Sequence, residues 1–130
     1  MKIMIADDIM EILQANNFGT ISTSILLNRL PEIAPAPDNC IGLFPLASPP
    51  QMINIPEQRY VFSLMLRDRE YDAGYEKVLA IHKMFSRQVV TAPLGRKMLF
   101  RPAAPPYFLE YDSNGRSRFV YNFDLFTVPD

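Results

Sequence analysis

The 130-residue sequence predicts a single α+β domain spanning 1–130, with a mixed or antiparallel sheet of four to six strands and two main helices packed on it. Alternating apolar and polar residues over 58–67 and 117–127 give the period of half-buried strands. A 3.6-residue apolar period over 3–15 and 71–86 gives two amphipathic helices. A chain of this length suits one domain and buries roughly two-thirds of the surface its unfolded form exposes.

The elements follow in order. Over 3–15, Ile5, Ile9, Ile12 and Leu13 share one helical face, while Asp8, Glu11 and Gln14 lie elsewhere. Asn16-Asn17-Phe18-Gly19 supplies residues that tolerate a left-handed backbone, so the helix should stop there. Thr20 to Leu30 is β-branched and apolar and reads as extended. Pro31, Pro35 and Pro37 forbid regular pairing, and Cys40 to Leu46 then reads as a short buried strand. Pro45, Pro49, Pro50 and Pro56 make a second loop.

In the strand from Gln58 to Arg67, Tyr60, Phe62, Leu64 and Leu66 point one way. Arg59, Ser63 and Arg67 point the other way, with Val61 and Met65 among them. Asp68 or Asp72 can cap the next helix, whose stripe is Tyr71, Tyr75, Val78, Leu79, His82 and Phe85. Met98 to Arg101 reads as a strand ended by Pro102, Pro105 and Pro106. Tyr107 to Tyr111 and Ser117 to Thr127 flank Asp112-Ser113-Asn114-Gly115-Arg116, a hairpin tip. Val61, Met65, Val120 and Phe126 interrupt the wet side of the sheet, which predicts partial cover by helices or by another subunit.

Composition removes several function classes. A net charge of −1 lacks the basic surplus of a sequence-independent nucleic-acid binder. One cysteine, Cys40, excludes an internal disulfide and any cysteine-rich metal site, and fits folding in a reducing cytoplasm. No apolar run reaches the ~20 residues that cross a bilayer. Asp7, Asp8 and Glu11, close behind Lys2, are unlike a secretory signal.

Candidate chemistry is sparse. His82, the single imidazole, lies on the apolar stripe of the second helix and reads as a structural histidine at the core edge. No nucleophile motif accompanies it, as a catalytic base requires. Cys40 lies in an apolar strand and reads as an inert thiol. Asp7, Asp8 and Glu11 read as a solvated face favoured by the helix dipole. Pro93-Leu94-Gly95-Arg96-Lys97 lacks phosphate-loop spacing, and Arg96, Lys97 and Arg101 form the basic cluster. The expectation is no catalytic residue, no cofactor and no metal. Tyr60, Tyr71, Tyr75, Tyr107 and Tyr121 carry hydroxyls that suit a core edge or an interface.

The order of the motifs resembles one family. It comprises the N-terminal helix with Asn16-Asn17-Phe18-Gly19-Thr20, then Asn28-Arg29-Leu30-Pro31 before Pro37-Asp38-Asn39-Cys40-Ile41. Gln58 to Arg67 leads into Tyr71 to Ala80, and Pro106-Tyr107-Phe108-Leu109 precedes Asp112 to Arg116 and Tyr121-Asn122-Phe123. Over essentially the whole chain this resembles the minor capsid or tail terminator proteins of long-tailed bacteriophages. The resemblance implies a structural protein of the virion neck, present in the host cytoplasm during assembly. Such proteins form a six-membered ring on the tail tube, end its polymerisation and meet a head completion (stopper) protein, with DNA only as passing cargo and no membrane. The segment from Pro45 to Pro56 departs from the family in lacking a glycine and in its many prolines. A stopper protein of the same neck, a small cytosolic enzyme and a ligand-binding module are the alternatives.

The assembly contacts are expected on three loops, 45–56, 92–97 and 112–116, which join regular elements at the surface. Leu46, Met52, Ile53 and Ile55 give the first loop more apolar surface than solvation needs, unless they fold back on their own core. Arg96, Lys97, Asp112 and Arg116 are the charged residues expected to fix register.

Overall fold

The computed structural model describes residues 5–31, 37–46, 58–86, 89–93, 95, 97–102 and 104–127. Two helices, α1 (Ile5–Ala15) and α2 (Tyr71–Phe85), accompany seven strands. The strands are β1 (Ile25–Leu27), β2 (Cys40–Pro45), β3 (Gln58–Asp68), β4 (Val90–Thr91), β5 (Lys97–Pro102), β6 (Tyr107–Tyr111) and β7 (Ser117–Thr127). The sheet runs β1-β2-β3-β7-β5-β4, with β6 also on β7. Only the β1–β2 pair is parallel among these strands, so the α+β class with a mixed sheet is as the periodicities predict. The strand number rises to seven because β1 has three residues and β4 two, too short to show a period.

β7 is the hub. Along one edge it pairs with β3 over its full length, from Ser117 opposite Asp68 to Thr127 opposite Gln58. Its other edge is shared by β5 and β6. These two would be one strand, but Pro102, Pro105 and Pro106 lack the amide hydrogens that a continuous ladder needs.

Both helices contribute to a single core with one face of the sheet. The inward rows are Ile41, Leu66, Phe119 and Phe108, then Leu43, Leu64 and Tyr121, then Phe62 and Phe123. Phe85 of α2 stacks on Phe100 with ring centroids 4.0 Å apart. α1 adds Ile5, Ala6, Ile9, Met10, Ile12 and Leu13 to that core. It ends at Asn17, whose φ is 65°, with Phe18 N donating to Leu13 O and Asn17 N to Gln14 O. This is the Schellman geometry expected from the Asn-Asn-Phe-Gly run.

Several local expectations change. Thr20 to Leu30 is not continuously extended. Thr20 O accepts the amides of Thr23, Ser24 and Ile25, which closes a turn, and Asn28 at φ 62° ends β1 after Leu27. On α2 the buried positions are Gly74, Val78, Ile81 and Phe85, while Tyr71 and Tyr75 are turned outward. The N-cap is Glu70, which makes no side-chain cap bond, and Asp68 Oδ1 instead accepts Glu70 N at 2.9 Å. Asp8 is buried rather than solvated: α1 packs six apolar residues inward, a stripe too broad to leave it on an open side. Arg67 is likewise fully buried, although its strand parity assigns it to the face away from the helices. The reason is a loop lying over that end of the sheet. A Cβ placed on Gly42 would stand 2.6 Å from Arg29 O, so the backbone crosses directly above β2.

Candidate assembly surfaces

The least ordinary surface gathers at the junction of α2 and β6. Tyr71, Tyr75, Tyr107, Leu109 and Tyr111 are 39%, 40%, 48%, 44% and 58% exposed. Tyr71 stacks on Tyr75 at 6.1 Å and packs on Phe108 and Phe119 at 5.2 and 5.3 Å. Phe108 in turn contacts Tyr111 at 5.0 Å. Tyr71, Tyr75 and Tyr111 thus each pack on a ring of the core edge while remaining substantially exposed. This arrangement suits an interface, where tyrosine is enriched because it gives contact area at low entropic cost. Tyr111 joins the helix side because the β6–β7 register shifts between Phe108 and Glu110, leaving Leu109 as the extra residue.

A second surface has opposite chemistry. On the face away from the helices, Arg59, Phe126 and Leu99 form one cross-strand row, and Val61, Asp124 and Arg101 the next. Lys97 lies two residues before Leu99 and shares its face. The Arg101 guanidinium sits 5.2 Å from the Phe126 ring centroid. Arg59 Nε donates to Asp124 Oδ2 at 2.7 Å and stays half exposed. Arg59 and Arg101 therefore flank one carboxylate, and Lys97 lies further along the same face beside a partly exposed apolar floor of Phe126 and Leu99.

Behind these surfaces lies an internal polar network. Arg67 Nε and Nη2 donate to Asp38 O and Pro37 O at 3.1 and 2.7 Å, and Nη1 donates to Pro31 O. One planar fork thus holds both ends of the 31–38 segment. Burial lowers the Arg67 pKa, and a nearby Cys40 thiolate would raise it. Burial also pushes the Cys40 thiol up, against the smaller opposing effect of Arg67 and Arg116, which keeps it protonated and unreactive. A recess of about 10 Å³, room for about one water, lies among Cys40, Leu66, Arg67 and Lys77. Lys77 Nζ donates to the buried Asp68 carboxylate at 3.1 Å, and Ser117 Oγ donates to Asp68 O at 2.8 Å.

No protein-family model and no curated protein matches the chain. Among solved structures, one protein whose name states no activity is similar over 95% of this chain and 92% of its own. The TM-score is 0.52 and the identity 12%. At that identity the likeness shows the fold alone, and folds of this kind carry many functions.

The residues singled out from sequence separate into three groups. Met52, Ile53, Ile55 and Arg96 lie outside the described residues. Leu46, 47% exposed at the end of β2, and Lys97, exposed on β5, are available for contact. The hairpin turns Asp112 and Arg116 toward each other. Arg116 Nε donates to Asp112 Oδ2 at 2.8 Å and Nη1 to Asp38 Oδ1 at 3.2 Å, with the Asp112 side chain fully covered. Burial alone would raise the Asp112 pKa. Amide donors from Arg116 and Asn114, with the Arg116 side chain, overcome it and hold that carboxyl below its ordinary range. His82 sits half-buried, as expected, with Nδ1 3.1 Å from Tyr121 Oη. Burial raises the pKa of that phenol, so it stays neutral. Among the described residues no group of three metal-capable side chains converges, and no helix is long and apolar enough to cross a membrane. Sequence reasoning missed Leu109 and Tyr111 as surface residues. The signal was the run of large apolar and aromatic residues from Tyr107 to Tyr111 on a strand flanked by prolines and a turn.

Proposed function

We propose that this chain is a structural neck protein of a long-tailed phage, of the tail terminator type. It works by assembling with copies of itself, in a ring of six, on the end of the tail tube. The ring stops further tube growth and presents a surface to the head completion protein, while DNA passes through without being bound. The observation that carries this reading is the half-exposed aromatic shelf. Four of the chain's six tyrosines, Tyr71, Tyr75, Tyr107 and Tyr111, stand exposed around one sheet edge. That is the chemistry of protein docking. The order of motifs along the whole chain supports the neck type of assembly in particular, and a net charge of −1 suits a protein that lets DNA pass.

The test is electron microscopy of a lysate from a phage that lacks the protein. Filled heads beside overlong or unjoined tails are expected. Tails of normal length joined to heads overturn the proposal. Normal-length tails beside heads that have lost their DNA assign the chain to the stopper position instead.

A further inference from the structure

We infer that the shelf of one copy receives the basic corner of the next, so that copies associate head to tail. This deepens the assembly reading above and rests on it. The argument is one of complementary surfaces on a single chain. The shelf lies beside Glu70, Asp72 and Glu76, all exposed, against Arg69 and Lys77, the latter paired with the buried Asp68. Asp72 and Glu76 are one helical turn apart on α2, where like charges repel each other. A cationic partner removes that repulsion. The corner carries Arg59, Lys97 and Arg101 against Asp124, on an apolar floor of Phe126 and Leu99. Each surface thus has the opposite charge of the other, and each combines charge with rings. Arginine against exposed tyrosine adds a cation–π contact.

The two surfaces occupy different places. The helix side of the sheet at β6 carries Tyr71, Tyr75 and Tyr111 of the shelf, with Tyr107 opposite Val120 on the other face of that edge, and the corner lies on that other face at β3, β5 and β7. Contact between two different patches is heterologous, and repeated by a rotation that closes it generates a ring. Strand addition is not how the β6 edge is used. β6 has five residues, a bulge at Leu109 and two prolines just before it, the devices by which edges avoid pairing. At the far edge, β1 is closed by its own turn through the Ile21–Ile25 bridge. What β6 offers is side chains.

The experiment uses the full chain and two charge-reversed variants. One carries Asp72→Lys with Glu76→Lys and the other Lys97→Glu with Arg101→Glu. None of these four side chains is a core residue, and unchanged melting temperatures verify the folds. Light scattering and sedimentation velocity at low salt measure association. The wild type is expected to associate, more weakly as salt rises. Each variant alone should associate at least ~10-fold more weakly, because its two surfaces now carry like charge. Mixed in equal amounts, the variants should recover an assembly with alternating copies, since both junctions are again complementary. A wild type that stays monomeric, variants that associate like the wild type, or a mixture that does not recover each overturns the inference. Tail length in the lysate tests the neck role separately: normal capping by the charge-reversed proteins refutes this contact and leaves the neck role standing.

Discussion

Removing the Arg67 guanidinium should release Pro31, Pro37 and Asp38 from β3 and cost a large part of the stability of a domain this size. Arg67→Met keeps most of the apolar stem and deletes the fork. Three backbone carbonyls, Pro31 O, Pro37 O and Asp38 O, then lose their donor. Hydrogen bonds to a charged group contribute about 1.5–3 kcal/mol each. These carbonyls are part-buried, so the low end applies, and relief of the buried charge returns some of the loss. The expected net loss is about 2–4 kcal/mol. For 130 residues, an unfolding entropy near 2.1 cal/mol/K per residue converts this to a fall of about 7–15 °C in Tm. Arg67→Lys should rescue little, because a point donor cannot span three carbonyls that a planar fork reaches. Differential scanning calorimetry measures both variants, with Arg59→Met as the control. Arg59 makes a half-exposed pair, worth about 0–1 kcal/mol. An Arg67→Met protein melting within about 2 °C of the wild type refutes the clamp, and full rescue by lysine refutes the fork argument.

The remaining expectations concern α2 and the hairpin. Gly74→Ala improves helix propensity by about 1 kcal/mol, yet its Cβ would stand 2.8 Å from Asp68 Cβ and 2.8 Å from Phe119 Cε2. Overpacking of about 1–3 kcal/mol should win, and a Tm that rises in thermal melts refutes the close approach. Asp112→Ala should cost roughly 2–3 kcal/mol in urea unfolding, since it leaves two amides and Arg116 Nε without their acceptor, while Arg116 keeps Asp38. The pH sign follows from the same carboxyl. Its folded pKa lies below the ordinary 3.8, so its contribution is complete above that value and is lost as pH falls through the folded value. Asp112→Asn should flatten that part of the acid limb, and an unchanged limb contradicts the assignment.

The fold was legible where one physical rule acted alone. In β3 and β7, burial of a single face imposes a period of two, and the antiparallel register from Gln58–Thr127 to Asp68–Ser117 follows the alternation read from sequence. The stop of α1 was equally local, since a left-handed Asn17 closes the helix with its own backbone bonds. What could not be read were side chains whose environment is set by residues far along the chain. Arg67 has the parity of a solvent-facing residue and is buried only because the chain near Arg29 crosses above Gly42, which no periodicity reports. Arg116 and Asp112 carry the composition of an exposed turn, but closure of the hairpin with Gly115 at φ 76° makes them partners and draws in Asp38 from 78 residues away. The shelf fell between these cases. Tyr71 and Tyr75 fit the apolar stripe of α2 by spacing, yet Gly74 brings the helix start so close to Phe119 that there is no room beneath it for whole rings. They therefore lie over Phe119, covering the core with one face and showing the other. A glycine that permits close packing thus turns two core-patterned tyrosines into surface.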